Sequence, residues 1–373
     1  MLLTCIFVLV LLGVVISLAA SPSVALAKDL PAFHFVNRHV IFATGGVIGM
    51  LAVSLLSPRG VRRLALGVFA VALVLLVVIA IGGESINGAK RWIRLLGFSF
   101  QPSEVAKPAF VVLAAWAFAE MQRRRDVPAL PMAIALYVTL AALLVIQPDV
   151  GQTLLVTLVW GALFLLAGLP LPWAGAFAGL LSTGLALAYV SLTYVRGRID
   201  AFLAGAYSET SQMGRAYHSF VQGGFFGRGP GEGTIKTILP DAHTDFIFAV
   251  IAEEYGVIAC LGLVCLFGVI VFRAFVRGLA VEELDVRYGI IGLSLLVGLQ
   301  ALINMGVNVG LLPAKGMTLP MISAGGSSMI GMSLTLGMLL ALTRARPELG
   351  RYRRRVGTSE PVGRMPEHPV GQN

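Results

Sequence analysis

The sequence predicts an all-α, polytopic integral membrane protein, and three observations carry that prediction. Of the 373 residues 57% are hydrophobic and only 13% are charged. The apolar residues come in long blocks, each near the ~20 residues a bilayer-spanning helix needs, rather than in the period of a surface helix. The arginines cluster between blocks, where positive charge orients a helix toward the cytoplasm. The formal net charge of +9 therefore reflects topology and not a nucleic-acid-binding surface. Cys5, Cys260 and Cys265 all fall inside apolar blocks without metal-ligand spacing, so they read as packing residues with no disulfide.

Taken in order, the chain opens on Leu2 to Ala20, an apolar run longer than a usual signal-peptide core and preceded by no Lys or Arg. It reads as an uncleaved first helix, although Val24-Ala-Leu-Ala27 resembles a cleavage site. Further apolar blocks follow at about 39–57, 64–82, 103–120, 129–147, 150–168, 172–193, 244–272, 286–310 and 323–342, giving about ten transmembrane helices. Arg59, Arg62 and Arg63 follow the second block, Arg123 to Arg125 the fourth, and Arg273 and Arg277 the eighth. Arg344, Arg346, Arg351 and Arg353 to Arg355 follow the last. With alternating helices these clusters share one side, which places both termini in the cytoplasm. Residues 1–343 form the transmembrane domain, and 344–373, rich in Pro, Gly, Ser and charge, read as a disordered cytoplasmic tail.

The external side carries the informative segments. Ser85 to Gln101 mixes Lys90, Arg91 and Arg94 with Trp92, Ile93, Leu95 and Leu96, which suits a short segment lying in the membrane interface or an aromatic-belt anchor. Between the seventh and eighth helices, Tyr194 to Thr244 is a large loop of a length that is usually functional or disordered. Its glycines argue for backbone shaped around a ligand. From Gly223 to Gly256 the loop runs into an apolar segment while carrying Asp241, His243, Asp245, Glu253 and Glu254. Ionisable groups at a membrane boundary cost roughly 3 kcal/mol each on insertion scales, so they mark a functional interior.

Elsewhere, Gln101-Pro-Ser-Glu104 reads as a helix start with an acid near the positive dipole end. Lys107, one turn further in, either pairs locally with Glu104 or reaches across to Asp245 or to an anionic substrate. Asp149 falls in a tight turn where Asp and Pro are ordinary. Asn304, Asn308, Ser323, Ser327 and Ser328 suit hydrogen bonding between helices, and Glu253 or Glu254 suits a structural ion pair. No phosphate loop, nucleophile elbow or His-Glu-x-x-His helix is present, so no nucleotide cofactor is expected.

At these motifs the chain resembles the SEDS family, the shape, elongation, division and sporulation proteins, along nearly its whole length. The matching pieces are Lys90-Arg-Trp-Ile-Arg94, Gln101-Pro-Ser-Glu104 with Lys107, and Gln147-Pro-Asp149. With them go Leu239-Pro240 through His243-Thr-Asp-Phe-Ile-Phe248 to Ala252-Glu-Glu254, and Asn308 to Ser328. Lys315-Gly-Met-Thr-Leu-Pro320 and Gly227-Arg-Gly-Pro-Gly231 look like the division branch rather than the elongation branch. Two positions depart from the pattern: Ala324 stands where an aromatic residue is expected, and Phe225 where Trp is frequent.

The resemblance implies an inverting peptidoglycan glycosyltransferase that polymerises lipid II, the undecaprenyl-pyrophosphate-linked disaccharide pentapeptide, in the inner membrane at the division septum. It implies Asp245 as the catalytic carboxylate, acting as general base, as an orienting group or as a metal ligand. Lys107, Glu104, Arg91, Arg94, Ser103, His243 and Asp149 are the substrate-binding candidates, and a divalent cation such as Mg or Mn is a candidate cofactor. The implied partners are a class B penicillin-binding protein, the septal transpeptidase, and other divisome proteins. A lipid II flippase and a non-catalytic division scaffold are the competing readings.

Overall fold

A charged and largely buried helix touches five others, and the bundle is built around it. In the computed structural model, which describes all residues except 27–28, 84–89, 96–97, 125, 169–170, 204–210, 240, 314–315 and 345–373, α4 (Pro102–Arg123) carries Glu104, Lys107, Glu120 and Arg123. It packs against α3 (Pro58–Gly82), α5 (Ala129–Ile146), α6 (Val150–Leu166), α11 (Leu284–Asn308) and α12 (Gly326–Thr343). A helix shielded from lipid on all sides need not be uniformly apolar, and its polar groups find partners inside the bundle. Pro108 leaves the Glu104 carbonyl without its helical donor. Gly331 of α12 lies against that oxygen, where a Cβ would stand only 2.6 Å away.

All ten apolar blocks are helical. The remaining ones are α1 (Leu2–Leu26), α2 (His34–Ser54), α7 (Leu171–Ser191) and α10 (Ile247–Leu279). By length and composition seven described helices can cross a membrane, namely α1, α2, α3, α5, α10, α11 and α12, or eight if α7 and the bent helix after it count as one span. The 17-residue α6 falls outside that set by its length, and α4, with its four charged residues, by its composition. Met1–Thr343 form one compact unit, and the proposed tail lies outside the described residues from 345 onward.

Three segments differ from the sequence reading. First, α2 begins at His34, about a turn and a half before the expected start, which brings Phe35 and Arg38 onto the helix with His39. Secondly, the segment expected to lie in the interface is an antiparallel hairpin of β1 (Ile93–Leu95) and β2 (Phe98–Phe100), with Ile93 opposite Phe100 and Arg94 opposite Ser99. Thirdly, the described parts of the large loop expected to be external hold α8 (Thr193–Leu203), α9 (Gln212–Gly223) and a short 3-10 turn, Ile235–Thr237.

The expected eighth span is also broken. Gly256, at φ +80° and ψ 175°, interrupts α10 and divides a buried outer arm, Ile247 to Tyr255, from the long segment beyond. Breaking a helix frees carbonyls before the break and N–H groups after it, and buried backbone groups must be paired. The glycine-rich loop takes both sets. Val257 and Ile258 N–H donate to the Gly224 and Phe225 carbonyls at 3.0 and 3.3 Å, while Arg228 and Gly229 N–H donate to the Glu253 and Glu254 carbonyls at 2.9 and 3.0 Å. The glycines are therefore shaped around a helix break, not around a ligand. Side chains complete the splice: Glu253 accepts from Thr234 and Ile235 N–H at 2.6 and 2.9 Å. Glu254 pairs with Lys236, whose ammonium also reaches the Ala19 and Gly231 carbonyls at 3.1 and 3.0 Å. The expected structural ion pair is thus Glu254–Lys236, tying the loop to α1 and α10.

Candidate active site

The outer arm of α10 begins where a cavity of about 880 Å³ opens, large enough for a substantial ligand. Its walls come from α2, the hairpin, the start of α4, α8, the segment 241–246, the segment 316–318 and the start of α12. Asp245, the residue before the Phe246 N-cap of α10, faces this cavity together with Asp241, His243 and Glu104.

The backbone that presents Asp245 is held at three successive carbonyls. Ala324 N–H donates to His243 O at 2.9 Å, Ser323 Oγ to Thr244 O at 2.6 Å, and Asn304 and Asn308 Nδ2 both to Asp245 O, at 2.9 and 3.0 Å. Asn304 also donates to Met317 O at 2.6 Å, and Asn308 Oδ1 accepts from Ala249 N–H at 3.1 Å. The Asn and Ser residues do hydrogen-bond between helices, as their types suggest. Their specific work is to fix the main chain so that the Asp245 carboxyl is held facing the cavity. Gly316, at φ +62°, passes beside that carboxyl, where a Cβ would lie 3.5 Å from Oδ2.

Burial pushes the Asp245 carboxyl up to about 7, the neighbouring Asp241 adds to the rise, Arg198 of α8 opposes it, and Glu104 contributes a smaller increase. Lys107 does not enter this balance, because it does not reach Asp245. Buried at 1% exposure, its ammonium meets Glu104 Oε2 at 2.9 Å, Gln152 Oε1 at 2.8 Å and Gln300 Oε1 at 2.9 Å. Three donors have three acceptors, so Lys107 makes the local pair with Glu104 and does not reach across to Asp245. Gln152 returns a bond to Glu104 Oε1 at 2.7 Å, and Gln300 donates to Thr318 O at 3.2 Å. The network fixes Glu104 in the cavity floor and links α4, α6 and α11 to the 316–318 segment. Removing one partner of such a buried pair typically costs about 3–5 kcal/mol.

The other candidates separate in the same way. Asp149 caps α6 through Gln152 N–H at 3.4 Å, accepts from Gln101 Nε2 at 3.1 Å and stands 3.7 Å from Arg91. It is buried behind the wall. Arg91 lines the cavity but directs its guanidinium to the Gln147 and Pro148 carbonyls as well as to Asp149. Arg94 is exposed on β1 and Ser103 is buried near the start of α4; neither is among the described cavity residues. His243 lines the cavity and packs on Phe35 of α2, ring centroids 4.6 Å apart. Lys315 and Pro240 lie outside the described residues. Among the described residues no three His, Cys, Asp or Glu side chains gather as a metal-binding group. Sequence reasoning missed Arg38, His39 and Arg198, all on the cavity wall, although an Arg-His pair at the edge of an apolar block was a legible signal.

The family model FTSW_RODA_SPOVE, described as cell cycle protein, matches residues 1–348. The chain is 45% identical over 340 residues to the "Probable peptidoglycan glycosyltransferase FtsW" of Caulobacter vibrioides, covering 91% of this chain and 87% of the relative. It is 35% identical to the protein of the same description from Trichlorobacter lovleyi, covering 89% of each. Among solved structures, it is similar to a chain from "Structural coordination of polymerization and crosslinking by a peptidoglycan synthase complex", with a TM-score of 0.74 and 29% identity, covering 92% of this chain and 96% of that one. The rod shape determining protein RodA of Thermus thermophilus gives a TM-score of 0.66 at 28% identity, over 92% and 95% of the two chains.

Proposed function

The chain belongs to the FtsW, RodA and SpoVE family of cell cycle proteins, and we propose that within it the protein polymerises lipid II during septal wall synthesis, with Asp245 as general base. It is a peptidoglycan glycosyltransferase of the multi-pass membrane type, similar to relatives described as FtsW. The observation that supports Asp245 as base is its presentation: the main chain of 243–245 is tied at every carbonyl, and the carboxyl faces a cavity able to hold a disaccharide unit. A carboxyl held near 7 is basic enough to take a proton from a sugar hydroxyl in its ionised form and is still ionised in good part at neutral pH. The 4-hydroxyl oxygen of one lipid II bonds to the anomeric carbon of the other substrate, and the bond to pyrophosphate breaks on the opposite face, which inverts that centre. The proton passes to Asp245. Asp241, on the same cavity wall, would hold a divalent cation in the manner of Mg²⁺, which needs one or two carboxylates and takes its other ligands from phosphates and water. Such an ion, when bound, supplies charge stabilisation to the leaving pyrophosphate.

The reading includes a class B penicillin-binding protein as partner, because a similar chain comes from a peptidoglycan synthase complex that coordinates polymerisation and crosslinking. The structured outer region, α8 to the 3-10 turn, is joined to Asp245 through the α10 splice, so contact there has a route to the site. Polymerisation of lipid II in detergent is to be measured for the protein alone, with the transpeptidase, and with a transpeptidase lacking its active-site serine. Activation of roughly a hundredfold, equivalent to about 3 kcal/mol between two loop states, is expected with either partner form. Equal rates with and without the partner, once complex formation is shown, would end the partner reading; no glycan under any condition would favour the flippase or scaffold. In cells we place both termini in the cytoplasm and α9 outside. An impermeant thiol reagent should label a cysteine at the exposed Thr237 and not one at Gln122, and the reverse pattern would overturn that orientation.

A further inference from the structure

Asp245 is aimed by the main chain before it, and the residues that hold that main chain are themselves seated on α1. Ser323 Oγ donates to Thr244 O and accepts from Leu319 N–H at 2.8 Å, so one hydroxyl joins the Asp245 segment to the turn Leu319–Ser323. Leu319 O accepts from Ile322 and Ser323 N–H at 3.2 and 3.1 Å, with Pro320 in the second place of the turn and Met321 in the third. Met321 has φ +62°, a conformation that the third place of a type II turn usually reserves for glycine or asparagine. Such strain persists only where the surroundings dictate the backbone. One of those surroundings is Gly13, on the buried face of α1. A Cβ at Gly13 would run into the Met321 carbonyl oxygen and stand 3.1 Å from Ile322 Cα. Glycine weakens a helix interior relative to alanine, so its place in α1 answers to this contact and not to the helix. Further along, α1 meets the other end of the same arm of α10: the Ala19 carbonyl accepts from Lys236, the partner of Glu254. The arm is thus braced on α1 at both ends.

Resting on the polymerase reading above, we propose that Gly13 of α1 is a positioning residue for glycan polymerisation, acting through the Leu319–Ser323 turn to which it gives room. With no side chain at residue 13 the turn lies against α1, and Ser323 Oγ and Ala324 N–H reach the Thr244 and His243 carbonyls at 2.6 and 2.9 Å. A methyl group at this position has to push Met321, because the atoms it meets are backbone and all five residues of the turn are buried. The displacement passes to Ser323, two residues on, and from there to the main chain beside Asp245. None of the five turn residues is on the described cavity wall. Substrate contacts are therefore spared. The change falls on the geometry of proton transfer, where a misplacement of about 1 Å can cost about 10²-fold in rate.

The test uses the full-length chain in complex with its transpeptidase, with rates taken per folded protein after gel filtration. Hydrogen exchange at Ile322, Ser323 and Ala324 should be several-fold faster in Gly13→Ala than in wild type. Lipid II turnover should lose about ten- to a hundredfold in kcat, with KM within about twofold of wild type, a split that a general loss of folded protein does not produce. Ser323→Ala should show the same split. In the double variant the loss should be smaller than the product of the two single losses, because Gly13 acts in part through the Ser323 hydroxyl. Gly45→Ala, at a helical glycine where a Cβ meets nothing within 4 Å, should keep wild-type exchange and turnover. If Gly13→Ala does not fold, Gly13→Ala with Met321→Gly serves in its place, since glycine at 321 lets the carbonyl turn aside; the same split is expected. Unchanged exchange at 322–324, a loss carried by KM, or losses that multiply in the double variant would overturn the proposal. Glycan synthesis at equal kcat by wild type and folded Gly13→Ala would remove it and leave the polymerase reading standing. No glycan from the wild-type complex would remove that reading, and exchange, which needs no substrate, would then decide whether Gly13 seats the turn.

Discussion

Asp245→Asn should abolish lipid II polymerisation while leaving the protein folded, with a loss of about 10²–10⁴-fold in rate, the usual contribution of a general base. The amide keeps the shape of the side chain and cannot accept a proton at neutral pH, and the three tied carbonyls of 243–245 do not depend on the carboxyl. The pH dependence has a definite sign. Burial, with Asp241 next and Arg198 opposing, holds the group at about 7, so the basic form is lost as pH falls through that value. Wild-type turnover in the complex with its partner should rise with pH and level off above about 7, and the residual rate of Asp245→Asn should lack this limb. Stability runs the other way. A carboxyl whose folded value is raised above its ordinary 3.8 contributes stability that is full below the unfolded value and is lost as pH rises through about 7. At pH 8 the Asn variant should therefore melt at or above the wild-type temperature. Wild-type turnover in the purified variant, or a pH limb unchanged by the substitution, would remove Asp245 as the base.

Much of the helical layout was legible because apolar block length is a one-dimensional property. The ten blocks are all helices, and the motif from His243 to Phe248 does reach a cavity. The failures share a cause: they concern what a residue meets in space. Lys107 looked available because sequence offers it only Glu104, whereas Gln152 and Gln300 arrive from α6 and α11. Arg91 looked like a pyrophosphate ligand because the turn carbonyls of Gln147 and Pro148 cannot be seen from its own segment. Placing the start of α2 at residue 39 cut Phe35 and Arg38 away from the helix face they share with His39. Gly223 and Gly227 gave a correct signal of close backbone approach, but the approaching backbone belongs to α10.

That splice makes the second large prediction. Gly227→Ala should destabilise the protein by roughly 4 kcal/mol or more, the range in which single substitutions are diagnostic of a specific mechanism. Two penalties coincide at this position. Gly227 has φ +81°, where an L residue costs about 1–2 kcal/mol, and a Cβ would stand 2.2 Å from the Glu254 carbonyl oxygen, which cannot move without opening the helix break. Gly231 separates the two terms. It also has a positive φ, +87°, but a Cβ there meets nothing within 4 Å, so Gly231→Ala should show only the backbone cost. Thermal unfolding in detergent should therefore rank wild type, Gly231→Ala and Gly227→Ala in that order, with the larger step to Gly227→Ala. If Gly227→Ala is purified folded, its polymerisation should still fall, because the displaced Glu254 carbonyl lies on the same short arm whose first turn follows Asp245. Equal stability of the two variants would show that the glycine loop is not spliced into α10 as described, and the route from the outer region to the Asp245 site would then be lost with it.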